Sequence, residues 1–342
     1  MVACGGGGGG GGGGGTSESG GSTGISNGSG TSTGTGQGDA PITVGDSYTT
    51  SVTDADVNTG LALHSPNFYI TDLVSKVNAD GSYISDRLWN NGYLRVHGLM
   101  TSDDQPSIEK HVDYSCETQP PVIGPTRNLT LGMNWNVAYT ITCRYDSTGQ
   151  ILSHTNATNV GSVTSLDSIT TSAGTFNAYK LVQVRTFKDA SGTTVQRETC
   201  WREPKLRRDV ACDKIITNSG SSSSLATRWR LEAYSSVATN ARVQIPATYS
   251  GNWQLSLSTN AKVKCGSIKV SITGDITGAC VNAIDYPYGS GIPVTGKVAA
   301  NGTVTAAIGN VIRVTGSLGT PGEGSGQWGD GTLTGAWDAS RQ

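Results

Sequence analysis

Charge is scarce in this sequence. Only 15% of its 342 residues are charged, and the formal net charge is -2 with a pI near 6.1. No basic field is available to hold nucleic acid or an anionic surface, so no nucleic-acid partner is expected. No apolar run approaches the ~20 residues that a membrane-spanning helix needs, and helical periodicity is nearly absent. Phe and Met occur three times each. No C-x-x-C is present, and no cysteine lies at zinc-ligand spacing to His64, His97, His111 or His154. No metal centre and no cofactor are therefore expected.

What is present is glycine, 48 residues of it, together with abundant Thr, Ser and Val. That mixture suits short strands joined by tight turns and predicts an all-β protein. The length suits two folded domains rather than one. We expect a tether over residues 1–39, an antiparallel β domain over 40–245, and a small barrel-like meander over 246–342. The first domain is expected to be a curved sheet or half-barrel, the second an eight-stranded up-and-down meander or barrel.

Seven cysteines divide as one plus six. Cys4 stands alone, whereas Cys116, Cys143, Cys200, Cys212, Cys265 and Cys280 make an even set that reads as disulfides formed in an oxidising compartment. Sequential pairing is the simplest of roughly 15 connectivities. Buried free thiols are the alternative.

The opening Met1-Val2-Ala3-Cys4-Gly5 precedes an unbroken glycine run to Gly15 and then Ser/Thr/Gly sequence to Gly38. Such a stretch buries too little apolar area to offset chain entropy. By coil scaling its reach is roughly 30–35 Å. The start resembles the end of a bacterial lipoprotein signal peptide, and the whole stretch resembles poly-glycine outer-membrane lipoproteins. That resemblance implies an upstream apolar leader, acylation of Cys4, and a membrane anchor. Gly5 in place of Asp implies sorting to the outer membrane, with the chain facing the periplasm or the cell surface.

In the first domain Val137, Tyr139, Ile141, Cys143 and Tyr145 alternate with polar residues, so one face is buried. Further strands are expected near 94–99, 108–116, 175–187, 195–202 and 228–233. Trp89, Trp135, Tyr139, Phe176, Val182, Val184, Trp201 and Trp229 are the expected core. The segments Gly174-Thr175-Phe176-Asn177-Ala178-Tyr179-Lys180 and Glu198-Thr199-Cys200-Trp201-Arg202-Glu203-Pro204 resemble a G-T-F-x-A-Y-K family of periplasmic β-rich proteins. That resemblance implies a curved half-barrel able to carry an apolar ligand or simply to bury a core. Arg202, Lys205, Arg207 and Arg208 between two cysteines read as a solvated charged turn, or else as an anion contact.

In the second domain Gly274-Asp275, Asn301-Gly302, Gly309-Asn310 and Asp330-Gly331 are hairpin signals, because these residues reach positive φ at low cost. A meander of this size hides its edges by closing. Ile268, Val270 and Ile272 are expected on one face, and Val294, Gly296 and Val298 opposite Val304, Ala306 and Ile308. Trp253, Trp328 and Trp337, each in a Gly-x-Trp, resemble those of small G-x-W-rich barrel domains and are expected to plug the barrel ends. A two-residue turn at Gly274-Asp275 would leave Cys265 and Cys280 four positions out of register, so their pairing requires a bulge or another turn.

Candidate chemistry is sparse. Two G-x-S-x-G matches between Gly20 and Gly28 lie in the tether, and Gly324 to Gly329 spells G-x-G-x-x-G without a following helix. Asp54, Asp56 and Asn58 resemble the start of a calcium loop, but Gly60 falls one place late and Ser65 stands where a Glu is required. An Asx-rich turn is the plainer reading. Glu109, His111 and Asp113 alternate on one expected strand, which makes hydrolysis conceivable. The leading expectation is a non-enzymatic, lipid-anchored envelope protein with a binding or structural role. A carrier of lipid or another apolar ligand, a partnership with another envelope protein, and a hydrolase are the alternatives.

Overall fold

The computed structural model describes residues 41–59, 68–89, 96–219, 224–258, 263–282, 290–319 and 322–342. Cys4, the glycine run and His64 lie outside the described residues.

The first set of strands is β1 Ser47–Asp56, β2 Phe68–Val77, β3 Tyr83–Trp89, β4 Val96–Met100, β5 Pro106–Lys110, β6 Tyr114–Gln119, β7 Asn134–Tyr145, β8 Ile151–Thr171, β9 Gly174–Asp189, β10 Gly192–Glu203, β11 Arg208–Asn218, β12 Ser224–Ser236 and β13 Ala241–Val243. Each pairs antiparallel with the next, and β1 also pairs with β12, so the sheet closes into a twelve-stranded barrel with β13 appended to β12. Closure goes one step beyond the curved sheet or half-barrel expected. It removes both sheet edges, and a bulge between Thr49 and Thr50 lets the last pair meet.

The second set is β14 Gly251–Leu257, β15 Val263–Val270, β16 Asp275–Asn282, β17 Ile292–Val298, β18 Thr303–Ile308, β19 Ile312–Leu318, β20 Glu323–Gly329 and β21 Thr334–Arg341. These form a closed eight-stranded up-and-down barrel in which β14 pairs with β21. A short 3-10 turn, Pro246–Tyr249, leads into it. Thr248 of that turn lies 3.3 Å from Thr49 of β1, hydroxyl to hydroxyl.

The small barrel is filled. Its core side chains, among them Trp253, Val294, Ile308, Trp328 and Trp337, are none of them more than 8% exposed. Val294, Gly296 and Val298 stand opposite Ile308, Ala306 and Val304, the pairs the alternation predicts. Trp337 donates its indole N–H to Thr315 O at 2.8 Å, and Trp253 to Tyr249 O at 2.8 Å. Glycine makes room for the indoles: a Cβ on Gly326 would fall 2.5 Å from Trp337 Nε1.

The turn at 274–275 is corrected. Val270 pairs with Ile276, so the reversal spans Ser271 to Asp275 and Ile272 lies in the turn rather than on the strand face. A bulge between Cys265 and Ile268 supplies the remaining offset and sets Cys265 opposite Cys280. All three disulfides join directly opposed residues of neighbouring strands: Cys116–Cys143, Cys200–Cys212 and Cys265–Cys280, with Cα separations of 4.0, 4.1 and 4.0 Å.

Two features of the large barrel also differ from expectation. The strand expected at 108–116 is two strands, β5 and β6, separated by a turn at His111. Val182 and Val184, expected in the core, are 39% and 37% exposed on the outer face, because Leu181, Gln183 and Arg185 take the inward positions of β9. Tyr139 is buried, and Phe176 and Trp201 pack against a cluster of Tyr48, Ala178, Leu206, Val210 and Leu231. That cluster joins the tip of the long β8–β9 hairpin to β1, β11 and β12, so the tip bends over one end of the barrel.

Candidate functional site

Cross-strand register sets the inward face of the large barrel. Trp135, Gly161, Gln183, Glu198, Lys214, Thr227 and Asp54 are successive partners across β7, β8, β9, β10, β11, β12 and β1, one row along the inner wall. Three rows on, the Tyr48 to Asp72 to Arg87 partnership runs across β1, β2 and β3. Alternation fixes these residues inward by the same rule that buries Val52 and Val163. The inward face therefore carries polar and charged groups among apolar ones, in contrast to the apolar filling of the small barrel.

Glu198 is the centre of the first network. It is 4% exposed, accepts a hydrogen bond from Gln183 Nε2 at 2.6 Å, and pairs with Lys214 Nζ at 3.1 Å and Arg185 Nη2 at 3.5 Å. Burial opposes its ionisation, but the Arg185 and Lys214 cations outweigh that and hold its carboxyl at about 2. Gln183 in turn accepts from Asn159 Nδ2 at 2.9 Å. Lys214 Nζ sits 5.0 Å from the Trp229 ring centre, a cation–π distance.

Asp104, in the β4–β5 loop, is the centre of the second network. Arg207 Nη2 donates to its Oδ1 at 2.5 Å and Nε to Oδ2 at 3.1 Å, Arg202 Nη2 to Oδ2 at 3.1 Å, and Tyr83 Oη to Oδ1 at 3.0 Å. Arg202 and Arg207 are 7% and 6% exposed. The Arg202–Arg208 segment is thus not the solvated turn expected: the turn folds inward because buried carboxylates await its guanidinium groups. Arg87 holds Asp72 with two bonds of 2.8 and 3.4 Å.

Parts of the charged wall remain in contact with solvent. Although Arg87 and Asp72 point inward, 26% and 18% of their side chains remain accessible, and 24% of Arg185. Twelve strands enclose a wider interior than eight, which side chains just fill. Several shielded polar atoms along this wall make no hydrogen bond among the described residues: Asp54 Oδ1, Asn159 Oδ1, Arg185 Nε, and the indole nitrogens of Trp89, Trp135 and Trp229. Buried polar atoms are normally partnered, so these are the least satisfied groups of the wall.

The other expected residues fall elsewhere. Asp54 belongs to the inner row. Asp56, at the end of β1, spends Oδ1 on the backbone N–H groups of Asn58 and Thr59, which lowers its pKa; it holds an Asx turn. Glu109 lies in β5, while His111 and Asp113 lie in the following turn, where the His111 ring stacks on Tyr114 at 4.3 Å. Burial lowers the His111 pKa. A histidine–carboxylate contact forms instead at His97 Nδ1 and Asp86, 2.5 Å apart. Trp253, Trp328 and Trp337 are core plugs, as expected.

Fold and site together define a disulfide-stapled all-β protein in which one barrel has an apolar core and the other carries buried charge networks among apolar clusters. No protein-family model matches the chain, and no curated protein matches it. Solved structures similar to it include a candidate exported protein of YmcC-like fold from Bacteroides fragilis, at 10% identity and a TM-score of 0.38, over 58% of this chain and 99% of that one; the hypothetical lipoprotein YmcC of Escherichia coli, at 11% and 0.31, over 54% and 83%; and a candidate lipoprotein of Parabacteroides distasonis, at 11% and 0.33, over 58% and 99%.

Proposed function

We propose that this chain is a non-enzymatic, lipid-anchored protein of the bacterial envelope whose large barrel binds a polar ligand in its lumen. The observation that supports the binding role is the concentration of charged groups on the inner wall of a closed twelve-stranded barrel, of which Arg87, Asp72 and Arg185 stay partly accessible. Burying charged groups is costly without a purpose or a partner, and a purely structural barrel could fill its interior with apolar side chains as the small one does. The carriage of lipid has less support, since Arg87, Arg185, Lys214, Asp72 and Glu198 face the space an acyl chain would occupy. Three disulfides favour folding outside the cytosol, and the Val2-Ala3-Cys4-Gly5 start favours acylation of Cys4 and an outer-membrane address.

Native mass spectrometry of the full chain purified from envelope extract tests the binding role. A retained polar small molecule is expected; a phospholipid adduct, or a clean chain under conditions that keep polar ligands bound, overturns it. Labelling with palmitate tests the anchor separately: label is expected on the wild type and absent from Cys4→Ser.

A further inference from the structure

β8 and β9 outrun their neighbours at one end of the large barrel. β7 pairs with β8 no further than Ser162, and β10 reaches β9 only as far as Tyr179, so among the described residues the strand positions between 167 and 178 pair only with one another. The last main-chain ties to the flank join Val163 to Met133 and Gly132. Directly beyond them the register shifts between Val163 and Ser165, which leaves Thr164 as a bulge, and a bulge bends the strand that carries it. The tip turns into the mouth of the barrel, where Ala173, Phe176 and Ala178 pack with Tyr48, Val210 and Leu231.

The hold on this tip is local. Phe176 meets Tyr234 edge-on, 6.1 Å between ring centres, and Trp201 donates its indole N–H to Asp167 Oδ2 at 2.9 Å. Releasing these contacts and the apolar packing breaks no ladder pair of the twelve-stranded ring, its closure through β1 and β12 included. A segment tied down by so few contacts opens at a fraction of the free energy of global unfolding. What lies below it is charged: the Arg208 guanidinium is 4.7 Å from the centre of the Tyr48 ring, and the Asp104 carboxylate acts on it at the same end of the barrel.

We infer that residues 167–178 form a gate: the tip swings about the Thr164 bulge as one hairpin, and its opening exposes the charged layer that the closed tip covers. The inference rests on the interior of the large barrel being a binding chamber, and it supplies a route of entry at this end.

Amide exchange of the full chain, with no ligand added, tests the motion. The paired amides of residues 167–178 are expected to exchange roughly 10-fold or more faster than those of the β7–β8 and β9–β10 ladders, at rates that low denaturant leaves unchanged, as local opening requires. Protection equal to that of the ladders overturns the gate. Access is read with Val210→Cys, a fully buried position under the tip, labelled with iodoacetamide and located by peptide mass. Adding Phe176→Ala should raise the labelling rate roughly 10-fold or more, since that side chain is part of what holds the tip, while exchange in the two ladders stays as it was. Labelling that appears only with global unfolding, or a Phe176→Ala effect spread equally over the ladders, also overturns the gate, and the wild-type exchange keeps the test decisive if Val210→Cys does not fold. These rates are read without a guest, so a gate that opens in a chain found to carry no polar molecule removes the binding role alone.

Discussion

Asp104 and Arg207 both occupy the left-handed region, at φ of 60° and 53°, and each is the other's ion-pair partner, at 2.5 Å between Arg207 Nη2 and Asp104 Oδ1. Neither is glycine, so each conformation costs roughly 1–2 kcal/mol. Such backbone persists where its surroundings over-determine it. Here the β4–β5 loop and the β10–β11 turn are bent so that one buried carboxylate can serve two guanidinium groups. Asp104→Asn should therefore lower unfolding free energy by about 3–5 kcal/mol, since it leaves buried cations uncompensated. Denaturant titration of the full chain measures it, and a loss under 1 kcal/mol would show that solvent already compensates them.

Glu198 makes stability depend on acid. Its folded carboxyl titrates at about 2 against an ordinary value of 4.5. A depressed folded value contributes stability that is fully present above the unfolded value and lost as pH falls through 4.5 toward 2. By linkage the loss amounts to ~3 kcal/mol. Stability curves measured from pH 6 to pH 2 should fall less steeply across that window for Glu198→Gln than for wild type; parallel curves would assign the acid sensitivity to other carboxylates.

Cys265 and Cys280 close a loop of 15 residues inside the small barrel. Chain-entropy arguments give such a crosslink about 3 kcal/mol. The double variant Cys265→Ala, Cys280→Ala should lower the unfolding temperature of the small barrel, followed by its three buried indoles in tryptophan fluorescence. An unchanged transition would mean that the bulged β15–β16 pairing is held by its hydrogen bonds alone.

Two glycines separate two physical causes. Gly326 sits under Trp337, so Gly326→Ala must displace the indole or the strand and should cost ~1–3 kcal/mol or more by overpacking. Gly331 has open space around it but a φ of +89°, so Gly331→Ala should cost only ~1 kcal/mol through the backbone. Equal losses in thermal melts would contradict this division.

The small barrel was legible because each signal there has a single meaning. Val294, Val298, Val304 and Ile308 alternate with polar residues around a filled apolar interior, and Asn301-Gly302 turns where Gly302 has a φ of +85°. In the large barrel the same rule misleads at β9. Val182 and Val184 point outward while Gln183 and Arg185 point in, so a reading that sends apolar residues to the core inverts the phase of the strand. Charged residues that fold inward onto distant partners resemble charged residues facing solvent, because the partners that neutralise them lie far along the chain. The Arg202–Arg208 turn was misread for that reason, and nothing local to it signals that Asp104, about a hundred residues earlier, will receive it.

Both rings close by pairing a first strand with a late one: β1 with β12, and β14 with β21, where Gln342 N donates to Asn252 O. Neither ring can close before its final strand is available: the large one waits for β12 and the small one for β21, so each depends on a pairing between segments far apart in sequence.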